Sequence, residues 1–362
     1  MTTLIFDESE IFNFETDACK RRMSTNGDIL KKNNVRQVLL VHGTFAGNDA
    51  LGLFSLLEPI EQKLTKSTFI TDKLKSHGKS LLDHLAKDIG NYTPEYEKTF
   101  SNALDHGITC KLFTWGSGNF HLARLKGTVE LAQELANIIT RNKILETERI
   151  LLQGHSHAGQ LFALLTTFLE NSEKAQQLYE IMDKSKHLGK RDELLGNLEK
   201  IKMVNLDIVT FGTPVRYSWG EYTKYRLIAI VNHRSPVNID GLLSTRDGDY
   251  VQQWGAEGTD VLPPDEKDLN DKFDAILDKG RDIPALIHSL EHTDRKQPHD
   301  ANGRTVGKTL LVDYKDNASS LLEHLDITHC VKTLFGHGVY TETRAMLFNT
   351  DIIVENLYKS PD

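Results

Sequence analysis

Apolar residues along this chain gather in short, nearly continuous runs that alternate with longer stretches of helical spacing. The runs cover positions 37–41, 110–115, 149–153, 204–211, 226–231 and 308–314, and are bounded by Gly, Ser or His. Runs with so little polar alternation suit strands buried on both faces of a parallel sheet. Between them, apolar positions three and four residues apart predict helices at 51–61, 81–90, 122–140 and 158–170, and a last one near 342–357. Alternating strands and helices predict an α/β class, a mostly parallel central sheet with helices on both faces. Ligands in such sheets bind beyond the carboxyl ends of the strands, so those ends are where chemistry is sought. Two stretches, 171–202 and 252–306, break the rhythm. They read as helical insertions over the carboxyl edge, either packing there or gating a substrate. With no repeat and no low-complexity linker, 1–362 is expected to be one domain.

Composition narrows the picture. At 39% hydrophobic and 26% charged, with 25 Gly and 9 Pro in 362 residues, the chain is neither disordered nor fibrous. A formal charge of −8 disfavours broad nucleic-acid binding. No apolar run approaches the length of a membrane span. The acidic start Met1-Thr-Thr-Leu-Ile-Phe-Asp-Glu-Ser-Glu10 does not read as a signal peptide. Cys19, Cys110 and Cys330 show neither metal spacing nor an even count, which suits a reducing compartment. The expectation is a cytoplasmic protein, with signal-less secretion left open.

Chemistry concentrates at Ile150-Leu-Leu-Gln-Gly-His-Ser-His-Ala-Gly159. An apolar strand meets a helix with almost no loop, and Ser156 stands at the junction among small residues. A nucleophile elbow needs this arrangement, because the tight turn lifts the serine above the sheet edge in a strained backbone. Ala158 takes the place of the second Gly of the five-residue signature. The main-chain N–H of His157 would face a developing oxyanion at the positive end of the helix dipole. A second donor is expected after Val38-Leu-Leu-Val-His-Gly43, from the N–H of Thr44 or Phe45.

Four motifs in order carry a family likeness. They are His42-Gly-Thr-Phe45 after a strand, Phe113-Thr-Trp-Gly-Ser-Gly-Asn119 with Arg124, Gly154-His-Ser-His-Ala158, and Phe211-Gly-Thr-Pro214. Over most of its length, from about Val35 to Leu357, the chain resembles the α/β-hydrolase superfamily in its lipase/esterase form. The resemblance implies an α/β-hydrolase fold and a Ser–acid–His triad in that chain order. It also implies a histidine in the loop before the terminal helix. His337, in Leu334-Phe-Gly-His-Gly-Val-Tyr340, is the first candidate base, with His329 the alternative and His324 a weaker one. Many lipases carry an Asp before a Pro-Val, where this chain has Ser235. The acid is therefore sought further on, in Arg246-Asp-Gly-Asp-Tyr-Val-Gln252, at Asp249, with Asp240 and Asp247 as alternatives.

His288-Ser-Leu-Glu-His292 matches the inverted zinc-protease pattern, a rival reading that leaves the four hydrolase motifs unexplained. A non-catalytic module of the same fold, binding a ligand or partner, is a second rival. The expected activity is cleavage of carboxylic esters, lipid or acyl esters foremost, through an acyl-enzyme on Ser156. No metal or cofactor is expected. The expected partner is an ester or lipid small molecule, with no nucleic acid and no transmembrane segment. Transient contact with a membrane surface and the oligomeric state stay open.

Overall fold

The computed structural model describes residues 3–6, 16–43, 91–104, 107–233, 248–249, 252, 263, 265–277, 297–314 and 336–359. The predicted helices at 51–61 and 81–90 lie outside these residues.

Seven strands form one parallel sheet: β1 (Thr3–Ile5), β2 (Val35–Val41), β3 (Thr109–Phe113), β4 (Arg149–His155), β5 (Asn205–Phe211), β6 (Tyr225–Asn232) and β7 (Lys308–Asp313). Their order is β1-β7-β6-β5-β4-β2-β3, and every pair is parallel. The six predicted strands are all present, within two residues at each end. The short β1 beside β7 was not predicted.

Side chains along the strands divide between two cores with the period of two that a pleated strand imposes. Leu39 and Val41 of β2, Ile150 and Leu152 of β4, and Leu206 and Ile208 of β5 point to one face. Helices α3 (His121–Asn142), α4 (Ala158–Glu170), α5 (Glu173–Lys184), α6 (Arg191–Ile201) and α7 (Lys267–Leu277) cover it. Val38, Leu40, Leu151 and Val209 point the other way, toward α1 (Asp17–Lys32), α2 (Pro94–Leu104) and α8 (Met346–Leu357). Two-sided burial is why the strands read as continuous apolar runs in the sequence.

Helix α4 is buried at every position from Ala158 to Leu169 and ends at Asn171 in the left-handed conformation. The 171–202 stretch forms the helices α5 and α6. Their Leu178, Ile181, Met182, Leu194, Leu198 and Ile201 enter the same facial core as α3 and α4. The last helix starts later than its pattern suggested, at Met346, after 3-10 turns at Val339–Thr341 and Thr343–Ala345. Most of 252–306 lies outside the described residues; 252, 263, 265–277 (with α7) and 297–306 are its described parts.

After β2 the chain crosses to β3 at one edge, then returns to β4 on the other side of β2. The order of the strands reverses there. The carboxyl ends of β2 and β4 flank that reversal, the place where open α/β sheets bind ligands.

Candidate active site

Ser156 stands at that reversal, buried just past the end of β4. It has φ 55°, one of few described non-Gly residues in the left-handed region. Such a residue costs about 1–3 kcal/mol and persists only where its surroundings over-determine it. The surroundings here do so. Its N–H donates to Phe211 O at 2.8 Å, and its carbonyl accepts from Thr213 Oγ1 at 2.8 Å and from the Gly159 N–H at 3.1 Å. Strand β4 runs into the turn and α4 leaves it, with His157 as the N-cap residue. Main-chain N–H groups at such a terminus point out along the positive end of the dipole. Gly154 and Ala158 must be small, since a Cβ on Gly154 would lie 2.4 Å from the Phe162 ring and 3.1 Å from Ala158 Cβ.

Facing Ser156, β2 is followed by His42 and Gly43. A Cβ on Gly43 would lie 2.6 Å from Ser156 Cβ and 3.3 Å from its Oγ, so only glycine lets this backbone approach. His42 is buried and its tautomer follows from its partners. Nε2 accepts the Trp115 N–H at 3.1 Å, so Nδ1 carries the proton and donates to Gly43 O at 2.7 Å. The Trp115 indole donates back to His42 O at 2.9 Å. Burial pushes the His42 pKa down, keeping the ring neutral. The histidine thus holds the carbonyl of Gly43 in place.

The third component is assembled by two distant loops. His337 Nδ1 lies 3.0 and 2.9 Å from Asp249 Oδ1 and Oδ2. Asp249 is fully buried and its carboxylate also accepts from the Tyr340 hydroxyl at 2.7 Å and from the Gln252 N–H at 2.9 Å. Burial foremost, and then the negative charge of Asp249, push the Tyr340 pKa well above its ordinary value, so this hydroxyl stays a donor. Asn232, the last residue of β6, holds the His337 loop at two points. Its N–H donates to Tyr340 Oη at 2.7 Å, and its Nδ2 donates to Gly336 O at 3.0 Å.

This pair sits against the strand ends that hold Ser156. Gly212 follows Phe211, the residue that accepts the Ser156 N–H. A Cβ on Gly212 (φ 57°) would lie 2.5 Å from Asp249 Oδ2 and 3.1 Å from His337 Nδ1. His155, next to the serine, donates from Nε2 to His337 O at 2.8 Å, and the two rings lie 4.5 Å apart. With Nδ1 committed to the carboxylate, Nε2 is the proton-accepting atom of His337. It is buried and hydrogen-bonds nothing among the described residues.

Of the residues predicted from sequence, Ser156, His157, Asp249 and His337 are thus brought to one edge of the sheet. Thr44, Phe45, Ser235, Asp240, Asp247, His324, His329 and the 288–292 motif lie outside the described residues. Asp207 belongs to the opposite, amino end of the sheet, where Arg149, Arg226 and Tyr358 bind its buried carboxylate. Sequence reasoning missed Tyr340, Asn232 and the support that His155 gives. Tyr340 stands three residues from His337, but its role depends on the 3-10 turn at Val339–Thr341, which no local pattern announced.

Among the described residues, no group of three or more His, Cys, Asp or Glu could hold a metal ion. No described helix is long and apolar enough to cross a membrane. Comparison with models of protein families, with curated proteins and with solved structures finds no match.

Proposed function

We propose that this chain is a serine hydrolase of the α/β-hydrolase fold, cleaving carboxylic esters through an acyl-enzyme on Ser156. The observation that carries the reading is the strained Ser156 at the β4–α4 junction, beside a buried Asp249–His337 pair. The residues occur in the order serine, acid, histidine along the chain, as in that superfamily.

A serine hydroxyl is a weak nucleophile until a base takes its proton. In this reading His337 Nε2 accepts that proton as Oγ attacks the ester carbonyl. The tetrahedral oxyanion turns toward the N–H of His157 and toward a donor from the loop after Gly43, at Thr44 or Phe45. Each such donor is worth about 3–4 kcal/mol to the transition state. Asp249 keeps Nδ1–H in place and offsets the imidazolium charge without itself taking the proton. His337 then protonates the leaving alcohol, and water, activated by the same imidazole, releases the acid. Lipid or acyl esters are the substrates we favour.

The test is labelling by a fluorophosphonate in the presence of a chelator, with turnover of p-nitrophenyl and phospholipid esters. The expected outcome is label on Ser156 and a loss on the order of 10⁴–10⁶ in turnover for Ser156→Ala. Absence of both label and turnover refutes the reading and favours a non-catalytic module.

A further inference from the structure

We infer that Arg216 receives an anionic group of the substrate, a carboxylate or phosphate carried a short arm away from the scissile ester. This rests on the hydrolase reading and adds a substrate class to it.

Arg216 lies on the segment that leaves β5, two residues beyond Pro214, and is only 7% exposed. Its Nη2 donates to Asp274 Oδ1 of α7 at 2.7 Å. Nε and Nη1 are buried and bond nothing among the described residues. Buried polar groups are otherwise almost always paired. A guanidinium presents its N–H groups in a rigid planar fork, which matches two oxygens of a carboxylate or phosphate.

The charges around it point the same way. Arg124 is fully buried, with Nη2 on Asn119 Oδ1 at 2.5 Å and Nη1 on the hydroxyl of Tyr217, the neighbour of Arg216, at 3.2 Å. Asp274 is the carboxylate that the described contacts give to this cluster. Its side chain is 45% exposed, and it serves His121 at 3.1 Å as well as Arg216. Arg216 thus shares one half-exposed carboxylate with His121, and an incoming anion would meet the two N–H groups that this carboxylate leaves unbonded.

The position suits a substrate contact. Thr213 bonds the carbonyl of Ser156, and Arg216 is three residues further on, a span of at most about 11 Å. Arg216 therefore leaves the same strand end that holds the Ser156 carbonyl, and the inference sets its guanidinium against an acid group borne on the acyl chain or on the alcohol of a bound ester.

The experiment compares matched esters that differ only in an acid group. Mono-p-nitrophenyl adipate and suberate are set against p-nitrophenyl hexanoate and octanoate, and a short-chain diacylglycerol phosphate against the diacylglycerol. The readout is the ratio of kcat/KM, acidic to neutral, within one protein preparation, so partial loss of folded enzyme cancels. The wild type is expected to favour the acidic member of a pair by on the order of 10–100-fold, mostly in KM. Arg216→Gln is expected to abolish that preference, and Arg216→Lys to restore part of it. A response in the carboxylate pair alone or the phosphate pair alone supports the inference and names the anion. Should Arg216→Gln not fold, the wild-type and Arg216→Lys ratios decide. A wild-type ratio near one, or a preference unchanged in the variants, overturns the inference while Ser156 labelling leaves the hydrolase reading standing. No labelling and no turnover of any ester removes both.

Discussion

Gly43→Ala is a demanding test of the close approach between Gly43 and Ser156, because it adds one methyl group and removes no reacting atom. The new Cβ would lie 2.6 Å from Ser156 Cβ and 3.1 Å from His155 O, where ordinary contact begins at 3.4 Å. The shortfall to Ser156 is therefore about 0.8 Å, and one of the two segments has to give. Neither side yields freely. Ser156 is bonded at its N–H to Phe211 and at its carbonyl to Thr213, each at 2.8 Å, and the Gly43 carbonyl is held by His42 at 2.7 Å. A misplacement near 1 Å costs on the order of 10²-fold in rate, and loss of an oxyanion donor on the order of 10²–10³-fold. The expected result is a fall in kcat of about 10²–10³-fold with KM changed far less. Overpacking should also cost about 1–3 kcal/mol of stability. Turnover of p-nitrophenyl hexanoate, the rate of fluorophosphonate labelling and thermal melting measure these. Gly196→Ala is the control, on the exposed side of α6 with nothing within 4 Å of its Cβ, and should leave kcat alone and add slightly to stability. If Gly43→Ala keeps kcat within about threefold and melts like the wild type, the close-approach argument is wrong.

Three further outcomes are expected. Tyr340→Phe removes a donor from the buried Asp249 carboxylate and leaves the Asn232 N–H without its acceptor. It should cost about 2–4 kcal/mol in chemical denaturation and lower kcat more than KM; an unchanged midpoint would count against the hydroxyl's bridging role. Asp207→Asn breaks an ion cluster at the amino end of the sheet, leaving Arg149 and Arg226 facing a neutral amide. Because both arginines keep some contact with water, the loss should fall near 3 kcal/mol, with ester turnover per folded molecule retained; a variant that folds normally but loses turnover would contradict the separation of the two edges. His42 is held neutral by burial in the folded chain, whereas the unfolded chain protonates it near pH 6.5. The unfolded state binds the extra proton, so stability falls as pH drops below that value, and His42→Gln should flatten this fall by at most about 1.4 kcal/mol per pH unit; urea midpoints at acid and neutral pH that move in parallel in both proteins would refute it.

Much of the architecture was legible in the sequence because its causes are local. Strands buried on both faces write themselves as apolar runs, and α4 wrote a long apolar stretch because it is covered on every side. The β4–α4 junction was visible for the same reason: Gly154, Ser156 and Ala158, which make the tight turn, lie within five residues. Elements with weaker signals escaped. Three residues of β1 carry no period, and the spacing of α5 and α6 does not say against what those helices pack.

The partnership of the histidine and the acid was decided only by the tertiary structure. Fifteen histidines and three nearby aspartates offered several combinations in the sequence. Asp249 and His337 meet across 88 positions, and the Asn232 N–H that steadies Tyr340 reaches across 108. Contacts at such separations depend on which strand ends the sheet order places side by side. That order is set by how the whole set of apolar faces is buried together, and no stretch of sequence records it alone. The same holds for Arg216, whose significance lies in the partners its guanidinium lacks inside a packed cluster. Residue type states what a group can do; burial and neighbours decide what it is left to do.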